Sequence, residues 1–470
     1  MQTRIPKSAV FAAPLAALLA LLAPVLAQAH DEAPGLPATT AALSPLPKSP
    51  IPDVTSLKIA KPAKAADDEA FREKDVWGRI RSGYAIPDVS NDLVTKHATW
   101  YATRPDYIAR TTARASLYLF HVVSELEKRG MPTELALLPF IESAFNPNAL
   151  SSANAAGMWQ FVPGTGRDFN LKQDSFKDER RGVLASTDAA LTYLQRLYDM
   201  FGDWQLALAA YNWGEGSVQR AIKKNQAAGK PTDFDSLADN MPAETRNYVP
   251  KLQAVKNIVA NPAQFGLSLP AIDNSPYFTA VDKTSDIDLT VAAHLAELSV
   301  DEFKALNPQF KRPVIIGDEQ TKILLPKENA EKFHLNLSQW TKELSTWTTH
   351  RITSARESIG SLAARFKTSP EVIRQANNIP QKSVLKAGST ILVPKMSASI
   401  SRDIPSEVVN NATMEYEAER AVSTKANPRY KQAKQQAKAG KSEKSGPVAL
   451  VKARVPRDAA KSKSQRKTNH

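Results

Sequence analysis

Cysteine is absent from all 470 residues. That excludes disulfides, thiolate metal sites and thiol nucleophiles. It also excludes N-terminal lipidation, which needs a cysteine at the cleavage point. Long apolar runs are missing as well, apart from Ala9 to Leu26, itself interrupted by Pro14 and Pro24. Nothing downstream is long enough to cross a bilayer. His97, His121, His294, His334 and His350 are scattered without metal-ligand spacing, so neither a metal nor a cofactor is expected.

The formal charge of +13 is unevenly spread. Lys425 to His470 holds 14 Lys and Arg against Glu443 and Asp458, a net +12, and Arg4 and Lys7 carry two more, which leaves the rest at −1. Residues 396–470 are rich in Lys, Ala, Ser and Gln with few aromatics, and read as a disordered basic tail. Such a tail suits weak attraction to anionic wall polymers or a membrane surface. Nucleic acid is not an expected partner. At the other end, Arg4 and Lys7 precede the apolar run, and Ala27-Gln28-Ala29 fits a small-x-small cleavage site. Residues 1–29 therefore read as a secretory signal, and the mature chain is expected in the periplasm, without a lipid anchor. Residues 30–66, rich in Pro, Ala, Ser and Thr without helical or strand period, read as a linker.

One stretch carries most of the chemistry. Glu142 follows the wholly apolar run Leu135 to Ile141, and Ala155-Ala156-Gly157-Met158-Trp159-Gln160-Phe161 comes just behind it. A carboxyl in apolar surroundings keeps its proton towards neutral pH, because desolvation disfavours the charged form. A general acid acting on a glycosidic bond needs that property. Glu142 is expected near the end of a helix over Thr133 to Ser143 that Asn146-Pro147 terminates. Pro139 either kinks or breaks that helix. Further along stand Ala209-Ala210-Tyr211-Asn212-Trp213-Gly214-Glu215-Gly216 and Glu244-Thr245-Arg246-Asn247-Tyr248-Val249-Pro250-Lys251. Asn212 before two glycines reads as a tight turn after a helix Asp203 to Ala210. Together these residues offer one acid, two amides and aromatic faces, as a sugar cleft requires.

In this order the four motifs resemble the catalytic region of lytic transglycosylases of the soluble and membrane-bound D type. The resemblance implies a goose-lysozyme-like domain over residues 67–270 that cleaves peptidoglycan glycan strands. It implies Glu142 as the catalytic acid, with Ser143, Ser151, Gln160, Tyr211, Asn212 and Tyr248 around the substrate. Within the domain, amphipathic helices are expected at Leu93 to Ala102, Pro105 to Arg129, Thr187 to Met200, Asp203 to Ala210 and Pro242 to Val259.

The second half holds a diverged repeat. Val291-Ala292-Ala293-His294-Leu295 with Asp301 to Asn307 recurs as Leu362-Ala363-Ala364-Arg365-Phe366 with Glu371 to Asn377. Each copy ends in a short apolar strand, Ile323 to Lys327 and Ile391 to Lys395. Strand, two short helices and strand in about 50 residues resembles the LysM module, which binds the N-acetylglucosamine backbone of peptidoglycan. The copies lie at 277–327 and 347–395. The first departs further from the pattern and reads as a structural spacer. In the second, the resemblance implies glycan contacts at Arg356, Glu357, Ser358, Ile379 and Pro380, although Ser354 to Ser358 lacks the usual Gly-Asp pair. The expected fold class is thus mainly α, a lysozyme-like domain followed by small α+β (βααβ) modules, acting as a monomer.

The reaction turns on a missing residue. Hydrolases of glycosides ordinarily use two carboxylates, and no second acid is expected beside Glu142 within its motifs. Asp168, Asp174, Asp178 and Glu179 read as a solvated loop. With one carboxyl the economical reaction is intramolecular. Glu142 protonates the glycosidic oxygen and then takes the proton of the C6 hydroxyl of the same N-acetylmuramyl residue, which attacks C1 and leaves a 1,6-anhydro end. The resembled family works this way. The alternatives are hydrolysis of the goose-lysozyme type and an inactive wall-binding scaffold.

Overall fold

The computed structural model describes residues 75–283, 285–316, 321–354, 357–396 and 403–418. The signal, the linker, Arg356 and the chain from 419 onward lie outside the described residues.

The first part is helical: α1 (Val76–Ser82), α2 (Asp92–Ala102), α3 (Pro105–Ala115), α4 (Leu119–Lys128), a 3-10 turn (Thr133–Leu137), α5 (Leu138–Ser143), α6 (Pro163–Asp168), α7 (Val183–Phe201), α8 (Trp204–Trp213), α9 (Glu215–Ala227), α10 (Phe234–Leu237) and α11 (Ala243–Ala260). Caps set several of the starts. Asn91 accepts from Val94 N and Asp203 from Leu206 N, each satisfying a donor that has no partner in the first turn. Helix α11 packs against α2, α8 and α5 and carries seven of its residues into one continuous apolar core with Leu135, Leu138, Leu208 and their neighbours.

Three expectations about these helices change. The span Pro105 to Arg129 is two helices, because the chain turns at Ser116–Tyr118 to bury Tyr118, whose hydroxyl donates to Ala305 O at 2.7 Å. Thr133 to Ser143 is a break: a 3-10 turn runs to Leu137, and Pro139 sits in the first turn of α5, where a missing N–H costs nothing. The charged stretch after Asp168 is not a solvated loop throughout. Asp178 is buried and holds the buried Arg180 at 2.7 Å, and Arg180 donates to Asn154 O and Phe161 O.

Two βααβ units follow. The first comprises β1 (Phe278–Asp282), β2 (Ile287–Asp288), α12 (Leu289–Leu295), α13 (Val300–Leu306), β3 (Val314–Ile315) and β4 (Lys322–Pro326), with helix α14 (Lys327–Ser338) after it. The second comprises β5 (Trp347–Arg351), α15 (Ile359–Arg365), α16 (Pro370–Asn377), β6 (Ser383–Leu385) and β7 (Thr390–Pro394). Strand β1 pairs antiparallel with β4, Phe278 opposite Pro326, and β5 with β7, Trp347 opposite Pro394. One buried asparagine explains the repeated motif. Asn307 donates to Phe303 O and Leu324 O and accepts from Leu324 N. Asn377 does the same with Ile373 O, Leu392 O and Leu392 N. Each clamps the second helix of its unit to the last strand through groups that would otherwise be buried unpaired.

The first unit is joined to the helical part. Leu306 and Leu324 belong to the helical core, Asp178 N donates to Gln309 O, Lys311 N to Phe176 O, and Arg312 Nε to Ser175 O. The expectation of disorder from residue 396 is corrected for part of its length. Residues 403–418 form α17 (Ser406–Asn410) and β8 (Tyr416–Ala418), which pairs with β6. Ile404 and Val409 are buried with Phe176, Val314 and Leu392, and burying those apolar side chains is what the segment gains by folding.

Candidate active site

Helix α5 ends abruptly after Glu142-Ser143. Ala144 and Phe145 both adopt left-handed backbone, with φ 51° and 56°. Each such residue costs about 1–3 kcal/mol and persists only where its surroundings enforce it. Here they do: Phe145 is fully buried edge-on to Phe140 at 5.1 Å. Phe145 N donates to Pro139 O at 2.9 Å, and Arg114 Nε of α3 donates to Ala144 O at 2.8 Å. The turn presents Glu142 from the last turn of its helix.

The loop behind it is fixed by a glycine. Gly157 has φ 84°, and a β-carbon there would stand 1.9 Å from Arg180 O, so no other residue fits. Gln160 follows with φ 52°, its Nε2 donating to Gly157 O at 2.8 Å. Ser143 Oγ donates to Met158 O at 2.9 Å, which ties α5 to this loop.

Glu142, Ser151, Gln160, Tyr211, Asn212 and Tyr248 line one cavity of about 560 Å³. Ser143 does not; its hydroxyl is committed to the loop. Tyr248 Oη donates to Glu142 Oε1 at 2.5 Å. Burial pushes the half-buried Glu142 up to about 7; the Tyr248 hydrogen bond draws it down, Glu244 raises it and Lys251 lowers it. Burial, with the Glu142 charge beside them, holds the Tyr248 and Tyr211 phenols well above their ordinary value, so both remain donors. Tyr211 Oη donates to Trp159 O at 2.9 Å. The tight turn expected at Asn212 is instead helix: α8 continues to Trp213, and the bend falls at Gly214, φ 85°. Asn212 Oδ1 accepts from Thr245 Oγ1 at 2.7 Å, which turns the amide NH₂ of Asn212 outward as a donor. Tyr193, 5.5 Å from the Tyr211 ring, completes an aromatic wall with Phe161.

The reading that no second acid accompanies Glu142 is corrected. Glu244 and Lys251 line the same cavity. Both stand in the quoted motif, and the spacing 244, 248, 251 is one helical face, so that period was the available signal. Tyr193 lies outside every motif, and no local pattern marks it.

In the second βααβ unit the candidate glycan contacts separate. Glu357 is taken up inside its own loop: His350 Nε2 lies 2.7 Å from Oε2, while Thr353 N, Thr353 Oγ1 and Ser354 N bond Oε1. The hydrogen bonds from His350 and Thr353 hold its carboxyl at about 2. Ser358 caps α15 by accepting from Ser361 N. Ile379 is 5% exposed and belongs to the unit's core. Pro380 is exposed, and its carbonyl accepts from Arg374 Nη1.

Comparison with known proteins follows the same partition. The transglycosylase SLT domain matches residues 123–234, the LysM-like domain of lytic transglycosylase MltD matches 277–342, and the LysM domain matches 354–394. Membrane-bound lytic murein transglycosylase D of Escherichia coli K12 is 37% identical over 349 residues, 72% of this chain and 76% of its own. Membrane-bound lytic murein transglycosylase C of Yersinia enterocolitica is 33% identical over 183 residues, 34% of this chain and 51% of its own. Soluble lytic murein transglycosylase of Salmonella typhimurium is 34% identical over 131 residues, 26% of this chain and 19% of its own.

Proposed function

The chain belongs to the family of the membrane-bound lytic murein transglycosylases D, and on that premise we propose that it cleaves the glycan strands of peptidoglycan with Glu142 as acid and base in turn. The observation that carries this is the pairing of Glu142 with Tyr248 at 2.5 Å inside the cavity. The phenol occupies Oε1, so the transferable proton belongs on Oε2. From there it passes to the glycosidic oxygen as the bond to C1 of N-acetylmuramic acid breaks. The C6 hydroxyl of the same sugar then bonds to C1 and returns its proton to Glu142. No water is consumed, and the new end is a 1,6-anhydro sugar. The Asn212 amide and the Tyr193–Tyr211 wall suit a sugar's polar edge and apolar face.

Glu244 favours a second reading. A carboxylate in the same cavity can activate water, and two carboxyls are what hydrolases use. Mass spectrometry of the products of purified sacculi separates the two: a hydrolytic end is heavier than an anhydro end by one water. Anhydro products support the first reading, hydrated ones the second. Glu142→Gln should release neither. Turnover above a tenth of the native rate in that variant would remove Glu142 from catalysis.

Wall binding belongs in this proposal to the second βααβ unit. The first, packed against the helical part, acts as a spacer. The periplasm is the proposed location, on the pattern of residues 1–29. Among the described residues no helix is long and apolar enough to cross a membrane.

A further inference from the structure

Two polar contacts join α11 to the segment Thr133–Ser143, and they share a register. Glu142 meets Tyr248 at 2.5 Å, and Glu134 meets Lys256 at 3.1 Å. On each segment the two partners are eight residues apart, and the segments run antiparallel. The span along α11 is about 12 Å at the rise of an α-helix. Between the two contacts lie Leu135, Leu138, Val249, Leu252 and Val255, all in the core.

Apolar packing of that kind is non-directional. A slip by one residue would carry the Tyr248 hydroxyl about 1.5 Å along the axis and 100° around it, off the Glu142 carboxyl. The charged pair cannot slip so. Glu134 is 0% exposed and Lys256 8%. Glu134 also accepts from Ala85 N and Ile86 N, while Lys256 Nζ donates to Ile86 O at 2.9 Å and pairs with Asp88 at 2.8 Å. Lys256 lies over the Tyr84 ring at 5.0 Å. A buried ion pair contributes little net stability against apolar residues of like volume, and its best-attested use is to set register.

We propose that Lys256 and Glu134 are positioning residues: they lock the register of α11 against the Thr133–Ser143 segment and thereby hold the Tyr248 hydroxyl on Glu142. The inference rests on the reading of Glu142 as the acid. It assigns a catalytic consequence to a pair buried on the far side of the helix contact from the substrate.

The test is the double substitution Lys256→Met with Glu134→Gln in the full chain, which removes both charges together and keeps the acceptor for Ala85 and Ile86. Turnover on soluble glycan strands is followed against pH, in the native background and in Tyr248→Phe. The expected result is a kcat about 10-fold lower at unchanged KM, with the alkaline limb of the profile moved to higher pH as Tyr248 loosens. The other groups around Glu142 are Glu244 and Lys251 on α11, Tyr211 on α8 and Tyr193 on α7, and none is altered. In the Tyr248→Phe background the same double substitution should change kcat less than 2-fold, since residues acting through one another are non-additive. A native kcat and profile, or equal losses in both backgrounds, would overturn the proposal, the second outcome leaving the pair a purely structural role. If the double variant does not fold by circular dichroism, Glu134→Gln alone is read the same way, Lys256 keeping Asp88 and the Ile86 carbonyl. An active Glu142→Gln enzyme would sink the underlying reading; an inactive one beside a native-like double variant would sink this inference only.

Discussion

The Tyr248 hydroxyl donates to Glu142 Oε1 at 2.5 Å across 106 residues of chain. The donor stays protonated because burial and the neighbouring carboxylate hold its phenol well above its ordinary value. The acceptor stands at about 7 because burial outweighs that same hydrogen bond. The pair therefore poises one carboxyl to give and take a proton near neutrality.

Activity should fall as pH rises through about 7, where Glu142 loses the proton it must donate. Removing the Tyr248 hydrogen bond takes away an influence that lowers Glu142. In Tyr248→Phe the alkaline limb should move up by about 0.5–1 unit, from a net hydrogen-bond contribution of about 0.5–1.5 kcal/mol. A limb that stays in place in pH–rate profiles on soluble strands would separate the phenol from the acid.

Glu142 should also cost the fold stability. Its folded pKa of about 7 lies above the ordinary 4.5, so between those values the native state binds more protons than the unfolded one and stability falls as pH rises. The total loss is at most about 3 kcal/mol. Glu142→Gln should therefore melt higher than the native chain at pH 8 and close to it at pH 4.5. Thermal scans at both pH values check this, and an equal difference at both would be the contrary result.

Gly157→Ala should disable the site from outside the chemistry. The added β-carbon meets Arg180 O at 1.9 Å, and φ is 84°. Backbone strain alone costs about 1–3 kcal/mol, and the loop carrying Gln160 must move. A lower melting temperature and at least about 10-fold slower turnover are expected. Native values of both would mean that the loop is not held by Arg180.

Deleting Lys425–His470 should leave turnover on short soluble strands unchanged. The removed segment carries +12, and the attraction of charges through solvent is screened beyond about 8 Å at physiological ionic strength. Co-sedimentation with sacculi should drop at low salt and match the native chain at high salt. Lost activity on short strands would show that the tail serves the cleft or the fold.

Much of this protein was legible in the chain itself. A carboxyl behind Leu135 to Ile141, the four motifs in order and the doubled βααβ pattern are properties of neighbouring residues, and local chemistry expresses them wherever the segments end up. The clamp residues Asn307 and Asn377 stood in the repeated motif, although their bonds did not. Tertiary packing decided the rest. Nothing near Pro139 chooses between a kink and a break; burial of Phe140 and Phe145 and the Arg114 bond to Ala144 O do. Glu244 and Lys251 enter the cavity only because α11 lies against α5 and α8, and Ile379 is core only because its loop folds under. Residues 403–418 look like tail by composition and fold because Phe176, Val314 and Leu392 offer Ile404 and Val409 a place to bury. The physical reason is one of range. Patterning and desolvation act between chain neighbours, whereas the meeting of Glu142 with Tyr248, or of Glu134 with Lys256, depends on the summed packing of elements far apart in sequence.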